Sequence, residues 1–275
     1  VEELAFTLSN ALAYVDAALS TGMDIDEFAP RLSFFFGCHN DFFEEVAKFR
    51  AARRLWYRLV TERYEPKDSK SAMLRFHTQT AGVTLTAQQP LNNVARVSYQ
   101  AMSAVLGGTQ SLHTNSYDEA IGLPTDESAT IALRTQQILA EETGVADVVD
   151  PLAGSYHVEA LTDAIESESY ALIQEIESMG GALPALKSGF QQRRIHESAW
   201  KQMKDVEDNM RNVVGVNHAT MDGNPEIEGQ VIDPGIAEMQ LEKLQDLRSI
   251  RDSDAVSKAL TALTDAAKTD ENLFP

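Results

Sequence analysis

The sequence predicts an α/β fold, because short apolar runs alternate with amphipathic helical segments over roughly its first 150 residues. The helical segments are long enough to cross over a sheet, which favours parallel strands. Beyond residue 161 the pattern changes to long helices. Four strand–helix units are recognisable, which is half of an eight-stranded barrel or most of an open sheet. Periodicity alone leaves both architectures open.

The strand candidates are short apolar runs bounded by proline, glycine or polar residues. They lie at 31–37, 73–79, 109–114 and 146–149. Apolar residues at spacings of three and four predict the helices, the first of which ends near Gly22. Thr125 or Asp126 is suited to cap the helix after the third strand. The later helices are expected at 41–64, 92–106, 126–142, 161–179, 191–209 and 236–267.

Charge and composition exclude several classes of function. The formal net charge is −19 and the pI about 4.6, so nucleic-acid binding is not expected. The acidic surface also disfavours anionic membranes, and no apolar run approaches the roughly 20 residues that span a bilayer. Cys38 is the only cysteine, which rules out an intramolecular disulfide and indicates a reducing, cytoplasmic location. The chain begins inside a helical pattern without methionine, so we expect a fragment or a processed chain.

Polar side chains occur within and directly after three successive strand candidates. In parallel α/β proteins the active site lies at the carboxyl ends of the strands, where such side chains share one mouth. A lone histidine in a strand is more often a hydrogen-bonded core residue. The coincidence across three strands nevertheless favours a functional mouth, because polar groups are costly to bury without partners. The side chains concerned are Arg31, Ser33, His77, Gln79, Gln110, His113, Asn115 and Glu119.

This set consists mainly of neutral hydrogen-bond donors and acceptors, with one arginine and one carboxylate. His77, His113 and Glu119 could together ligate a metal, but the sequence has no HExxH or paired-cysteine spacing, and we expect no metal site. The GxSxG, Walker A and strand-following GxGxxG motifs are also missing from the sequence. The set therefore suits binding of a large polar cofactor and exclusion of water better than it suits hydrolysis.

Four stretches of the sequence resemble the catalytic barrel of the methylmalonyl-CoA mutase family. They read APRLSFFFG at 29–37, LRFHTQTAGVTLTAQQPLNNVAR at 74–96, GGTQSLHTNSYDEAIGLPT at 107–125 and DPLAGSYHVE at 150–159. The resemblance implies part of a (β/α)8 TIM-type barrel followed by a helical C-terminal extension. On that basis we expect the C-terminal half of the barrel at 1–218, a linker at 219–235 and the helical extension at 236–275.

The resemblance implies an isomerase that rearranges the carbon skeleton of an acyl-CoA by radical chemistry. In that family the barrel encloses the acyl-CoA along its axis, and adenosylcobalamin (coenzyme B12) caps the mouth. The cofactor carries the radical chemistry, and the protein supplies orientation and shielding. After Gly82 the sequence has Val83, where the family usually has tryptophan, so the resemblance does not specify which acyl-CoA is the substrate.

Individual positions match family positions with a role. Arg31 and Ser33 match residues that bind CoA, and the fork of an arginine pairs well with phosphate. Gly82 matches a corrin-contacting glycine, and Gly122 matches a cofactor contact that is often alanine. Glu119 resembles the carboxylate that holds the adenosyl ribose hydroxyls. The matches to mouth residues that face the reacting groups, and hence the expected catalytic residues, are His77, Gln79 and Asn115.

Two parts of the family's enzyme are not matched in this chain: the first barrel half, and the cobalamin-binding domain whose DxHxxG motif provides the lower cobalt ligand. We therefore expect the N-terminal barrel half and a small cobalamin-binding subunit or domain as partners. An oligomer is expected because half a barrel exposes a sheet edge. The leading hypothesis is a subunit or fragment of the mutase that is inactive without those parts. The alternatives are a non-catalytic scaffold or assembly subunit and an independent metal-dependent barrel enzyme.

Overall fold

The computed structural model describes residues 1–223, 230 and 232–274 of the chain. The chain divides into two compact units, Val1–Gly229 and Gln230–Pro275. The predicted linker at 219–235 lies partly outside the described residues. None of the helices in those described ranges combines the length and the apolar character needed to cross a membrane.

The described part of the first unit contains one parallel sheet and the helices that connect its strands. The strands are β1 (Phe34–Cys38), β2 (Phe76–Thr80) and β3 (Ser111–His113). The helices are α1 (Glu2–Ser20), α2 (Ile25–Phe28), α3 (Phe42–Tyr64), α4 (Asn92–Leu106), α5 (Asp126–Glu142), α6 (Tyr156–Ser178), α7 (Ala182–Lys187) and α8 (Phe190–Glu207). A helix joins each strand to the next, which is the crossover that parallel pairing requires. The sequence-based prediction of an α/β fold is confirmed.

The sheet has the strand order β1–β2–β3. Its register aligns two rows of side chains on one face, Phe35–His77–Ser111 and Gly37–Gln79–His113. We call this the inner face; its side chains are exposed or half-buried. The alternate residues of β1 and β2 are buried on the opposite face, as the period of two along a strand requires.

Aromatic rings hold the buried face of the sheet against α3. The ring of Phe76 lies 5.6 Å from that of Phe36 and 5.1 Å from that of Phe49, measured between centroids. Trp56 meets Phe34 edge-on at 4.9 Å. Each such ring contributes roughly 1.5–3 kcal/mol through burial. The core therefore fixes the strands from behind and leaves the inner face available.

The fourth predicted strand, at 146–149, is wrong. These residues lie in turns and bends, with Val148 54% and Val149 97% exposed. A short apolar run becomes a strand only when a neighbouring strand pairs with its backbone. Residues 146–149 do not pair with β3 or with any other described strand.

The expectation that Arg31 and Ser33 lie within the first strand is also wrong. Arg31 ends a 3₁₀ turn at Ala29–Arg31, and β1 begins only at Phe34. Pro30 explains the difference, because its ring fixes φ and removes the N–H that a sheet would use. Both predicted residues therefore lie before the amino end of the strand.

The helix predictions at 41–64, 92–106 and 126–142 are confirmed to within one residue by α3, α4 and α5. The single long helix expected at 236–267 is wrong, because the described residues of that range form two helices, α9 (Gly235–Ile250) and α10 (Ser253–Ala266). Asp252 explains the break: its side chain accepts hydrogen bonds from the N–H groups of Asp254 and Ala255 and begins a new helix. No residue of either helix is buried.

Candidate functional site

The inner face carries three of the predicted polar residues, His77 and Gln79 on β2 and His113 on β3. His77 Nδ1 lies 2.7 Å from Ser111 Oγ, and its ring centroid lies 5.2 Å from that of Phe35. Gln79 occupies the next row toward the carboxyl end of the strand. The alternation of a strand places His77 and Gln79 on the same face, so they form one line of polar groups.

A second group of predicted residues meets at the carboxyl end of the sheet. Gln79 Nε2 donates to Asn115 Oδ1 at 2.8 Å. Asn115 Nδ2 donates to the carbonyl oxygen of Thr80 at 2.8 Å, and the Asn115 N–H donates to Thr80 Oγ1 at 2.9 Å. Asn115 and Thr80 are both buried. These bonds hold the Asn115 amide in one orientation.

Gly82 and Glu119 complete this group. A Cβ placed on Gly82 would lie 2.8 Å from Asn115 Nδ2, closer than such atoms approach, and 3.0 Å from Glu119 Oε1, tighter than most such contacts. The missing side chain therefore makes room for Asn115 and Glu119, which is a reason for glycine here in addition to the expected approach of a cofactor. The Glu119 side chain is exposed. We call these five residues, Gln79, Thr80, Gly82, Asn115 and Glu119, the carboxyl-edge cluster.

Gly122 has open space around it, unlike Gly82. No atom lies within 4 Å of a Cβ built at this position. Alanine would therefore fit there without a change in the surroundings, and no contact with the described residues requires a glycine.

The segment that carries Asn115 and Glu119 is anchored from behind by buried side chains. Asn93, fully buried, donates to the carbonyl oxygen of Tyr117 at 2.8 Å. Arg96 Nη1 in turn donates to Asn93 Oδ1 at 2.7 Å, and burial lowers the pKa of Arg96. Thr114 Oγ1 donates to the carbonyl oxygen of Ala132 in α5 at 2.7 Å. The loop is therefore a fixed element of the site.

Arg31 and Ser33 lie at the other end of the sheet, and both are exposed. The five strand steps from Ser33 to Cys38 correspond to roughly 17 Å at about 3.3 Å per residue. The structure therefore does not bring Arg31 and Ser33 together with the carboxyl-edge cluster. A ligand that contacts both groups must be elongated.

The remaining polar candidates of the third strand, Gln110 and His113, differ in their contacts. Gln110 Oε1 accepts the N–H of Phe76 at 2.7 Å, so this side chain completes the backbone pairing of β2. His113 lies beside Gln79 on the inner face and is exposed. In the ranges that the structure describes, no three His, Cys, Asp or Glu side chains converge as they would around a metal ion.

Sequence reasoning missed Thr80 and Asn93. Both are polar, fully buried and hydrogen-bonded to the segment that carries the predicted site. Thr80 lies two residues before Gly82 and directly after Gln79. Its place between two motif residues is a signal of a role in the site, but threonine is common in strands and does not by itself indicate one.

Comparison with known proteins gives a consistent result. The model of the family described as methylmalonyl-CoA mutase matches residues 1–275. Methylmalonyl-CoA mutase of Cereibacter sphaeroides is 50% identical over 275 residues, covering 100% of this chain and 39% of the relative. A probable mitochondrial methylmalonyl-CoA mutase of Caenorhabditis elegans is 47% identical, with 100% and 37% covered. The 2-hydroxyisobutanoyl-CoA mutase large subunit of Aquincola tertiaricarbonis is 46% identical, with 100% and 49% covered. The chain thus spans less than half the length of these relatives.

Proposed function

Because this chain belongs to the methylmalonyl-CoA mutase family, we propose that it forms the CoA-facing and adenosyl-facing part of an adenosylcobalamin-dependent acyl-CoA mutase. The observation that carries the proposal is the carboxyl-edge cluster. Gly82 leaves space for two neighbouring side chains, and the amides of Gln79 and Asn115 are hydrogen-bonded to each other. The exposed carboxylate of Glu119 completes the cluster, at the edge of the sheet where parallel α/β proteins bind their ligands.

The donor set of the cluster fits the adenosyl group of such a cofactor. The Glu119 carboxylate has two acceptor oxygens, which match the two hydroxyl donors of a ribose. The Asn115 amide lies near Glu119 at Gly82 and is hydrogen-bonded to the Gln79 amide; amides offer both donors and acceptors. We infer that Glu119 would hold the ribose, with Gly82 and Gly122 as further cofactor contacts. The chemistry that adenosylcobalamin supplies when bound is a radical from homolysis of its cobalt–carbon bond.

The residues of this chain bind, orient and shield. Arg31, with Ser33, would hold the phosphate-bearing end of CoA, because a guanidinium pairs with phosphate oxygens through two parallel hydrogen bonds. The acyl end of an elongated ligand would then lie near His77 and Gln79 on the inner face. Buried anchoring of the Asn115 segment keeps these groups from reorganising during the reaction.

The remaining parts of the enzyme would come from outside this chain. The relatives are at least twice as long, and one is named a large subunit, which implies a further subunit in that protein. We propose that an N-terminal barrel half completes the barrel around the inner face. A cobalamin-binding domain or subunit would provide the cobalt ligand. We propose Val83, 88% exposed beside Gly82, as a candidate for the side chain that selects the acyl-CoA.

The test compares two cobalamins in the full-length protein. Glu119→Ala should weaken binding of adenosylcobalamin about tenfold, because an acceptor for two hydroxyl donors is lost. Methylcobalamin has the same corrin without the adenosyl group, and its affinity should not change. Glu127→Ala, a change of the same kind at an exposed position of α5, is the matched control.

A measurement of isomerase activity distinguishes a catalytic role of this chain from a scaffold role. The full-length protein should isomerise at least one branched acyl-CoA when loaded with adenosylcobalamin, and Glu119→Ala should slow it. Unchanged activity in Glu119→Ala, or equal weakening of both cobalamins, would reject the assigned role of Glu119. Absence of cobalamin binding in the full-length protein would reject the mutase function itself.

A further inference from the structure

We propose that Thr80 is a positioning residue, which fixes through Asn115 the orientation in which the Gln79 amide meets a ligand on the inner face. The inference rests on the proposed function, because Gln79 is there a ligand-facing residue. It concerns a residue to which neither the motifs nor the chemistry of the cofactor assigns a role.

The polarity of the hydrogen bonds carries the argument. The carbonyl oxygen of Thr80 can only accept, so the Asn115 atom 2.8 Å from it must be the amide nitrogen. The other amide atom of Asn115 is therefore the oxygen. Since that oxygen can only accept, the Gln79 atom 2.8 Å from it must be Nε2. One backbone carbonyl thus determines the orientation of two side-chain amides.

The Thr80 hydroxyl makes this arrangement rigid. Thr80 Oγ1 accepts the backbone N–H of Asn115 at 2.9 Å, so the residue holds both the backbone and the side chain of Asn115. Thr80 is 0% and Asn115 3% exposed, so water cannot replace either bond. The first residues after β3 are therefore fixed to the last residue of β2.

These bonds determine which hydrogen-bonding groups of Gln79 stay available to a ligand. Its Nε2 uses one N–H on Asn115, and the described residues provide no donor for its Oε1. Gln79 therefore presents a carbonyl oxygen and one remaining N–H to the inner face, in an orientation set before a ligand binds. A group held in this way loses little entropy on binding and is not free to flip.

Four variants of the full-length protein test the inference. Thr80→Val keeps the shape and removes the acceptor, whereas Thr80→Ser keeps the hydroxyl. Asn115→Ala removes the residue through which Thr80 is proposed to act. Thr78→Val is the matched control, because Thr78 is also fully buried on β2 and bonds Thr109 Oγ1 at 2.8 Å, away from Asn115.

The first readout is hydrogen–deuterium exchange of the peptide that contains Asn115, measured on the unliganded protein. Thr80→Val should speed this exchange about tenfold, because the Asn115 N–H loses its partner. Thr78→Val should leave that peptide unchanged. Equal exchange in Thr80→Val and Thr78→Val would overturn the proposal. This readout is independent of activity, so it tests the positioning even if the mutase function fails.

The second readout is the split between kcat and KM. Thr80→Val should lower kcat about tenfold while KM for the acyl-CoA stays within about threefold, and Thr80→Ser should recover a large part of the loss. In the Asn115→Ala background, Thr80→Val should add less than about twofold, because its route of action is gone. If the two effects instead multiply, Thr80 acts independently of Asn115 and the proposal is wrong.

Discussion

The two free edges of the sheet differ in how their backbone groups are satisfied. At the β1 edge, the Gly37 N–H donates to Glu3 Oε1 at 2.7 Å, and Lys48 Nζ donates to the Gly37 carbonyl oxygen at 2.8 Å. Lys48 also pairs with Glu3 at 2.8 Å and with Glu45 at 2.6 Å. At the β3 edge, a cleft of about 700 Å³ lies beside Ser111 and Leu112. One edge is sealed by side chains, and the other is open.

The difference shows which edge is prepared to accept another strand. Residues of a strand direct their backbone groups alternately to either side, so a strand arriving at β1 would have to displace Glu3 and Lys48 to pair with Gly37. A strand arriving at β3 meets an apolar cleft wall that includes Val148 and Val149. An unpaired edge of this kind promotes association, so we expect the proposed barrel partner to pair most extensively at β3.

The largest expected effect comes from breaking the sealed edge. Lys48 is 5% exposed, and although burial disfavours its charge, Glu3 and Glu45 outweigh burial and raise its pKa. Lys48→Met should therefore cost about 3 kcal/mol or more, because two carboxylates and the Gly37 carbonyl lose their partner. The measurement is the free energy of opening of β1 by native-state hydrogen exchange in the full-length protein. Lys204→Met, at a surface pair with Glu207 whose side chains are 44% and 52% exposed, should change it by less than about 0.5 kcal/mol.

A smaller effect is expected at the wall of the open edge, where Arg50 holds the segment that enters α6. Arg50 bonds Asp150 at 3.0 Å and Glu159 at 2.8 Å. The hydrogen bond from Arg50 lowers the pKa of Glu159 below its ordinary 4.5. This contribution to stability is present above the ordinary pKa and is lost as the pH falls through the lower value of the folded state.

Arg50→Gln should therefore speed hydrogen exchange in residues 150–155 at neutral pH. In the wild type, exchange of this segment should become faster as the pH falls below 4.5, and Arg50→Gln should remove that part of the pH dependence. The β1 peptide should not respond, since the two edges do not share these contacts. If the acid sensitivity of 150–155 were the same with and without Arg50, this pair would not be what anchors the cleft wall.

The smallest effect is expected at Val149, which is 97% exposed beside the cleft. Val149→Ser should change the stability of the 275-residue chain by less than about 0.5 kcal/mol. In the full-length protein the same substitution should cost more if another segment covers the cleft. A loss that is no larger in the full-length protein than in the chain would contradict the expectation that the β3 edge is covered.

Several elements were predictable because their cause is local. Thr125 or Asp126 was expected to cap α5, and it is the Thr125 side chain that accepts the Ser128 N–H, at 3.2 Å. The spacing of apolar residues predicted α3 and α4. The lack of strand structure at 146–149 was not predictable, because composition does not reveal whether a short apolar run pairs with a strand beside it. The roles of the site residues stay proposals; what the structure adds is that Gln79, Asn115, Gly82 and Glu119 meet, whereas Arg31 and Ser33 lie at the other end of the sheet.

The sequence by itself determined the family, the alternation of strands and helices, and the residue types of the site. These follow from local periodicity and from motifs that can be read along the chain. Only the tertiary structure decided how the Asn115 amide is turned, why Gly82 has no room for a side chain and how Lys48 closes one edge of the sheet. Each of these depends on hydrogen bonds or contacts between residues distant in sequence, and their polarity and distance exist only once the chain has folded.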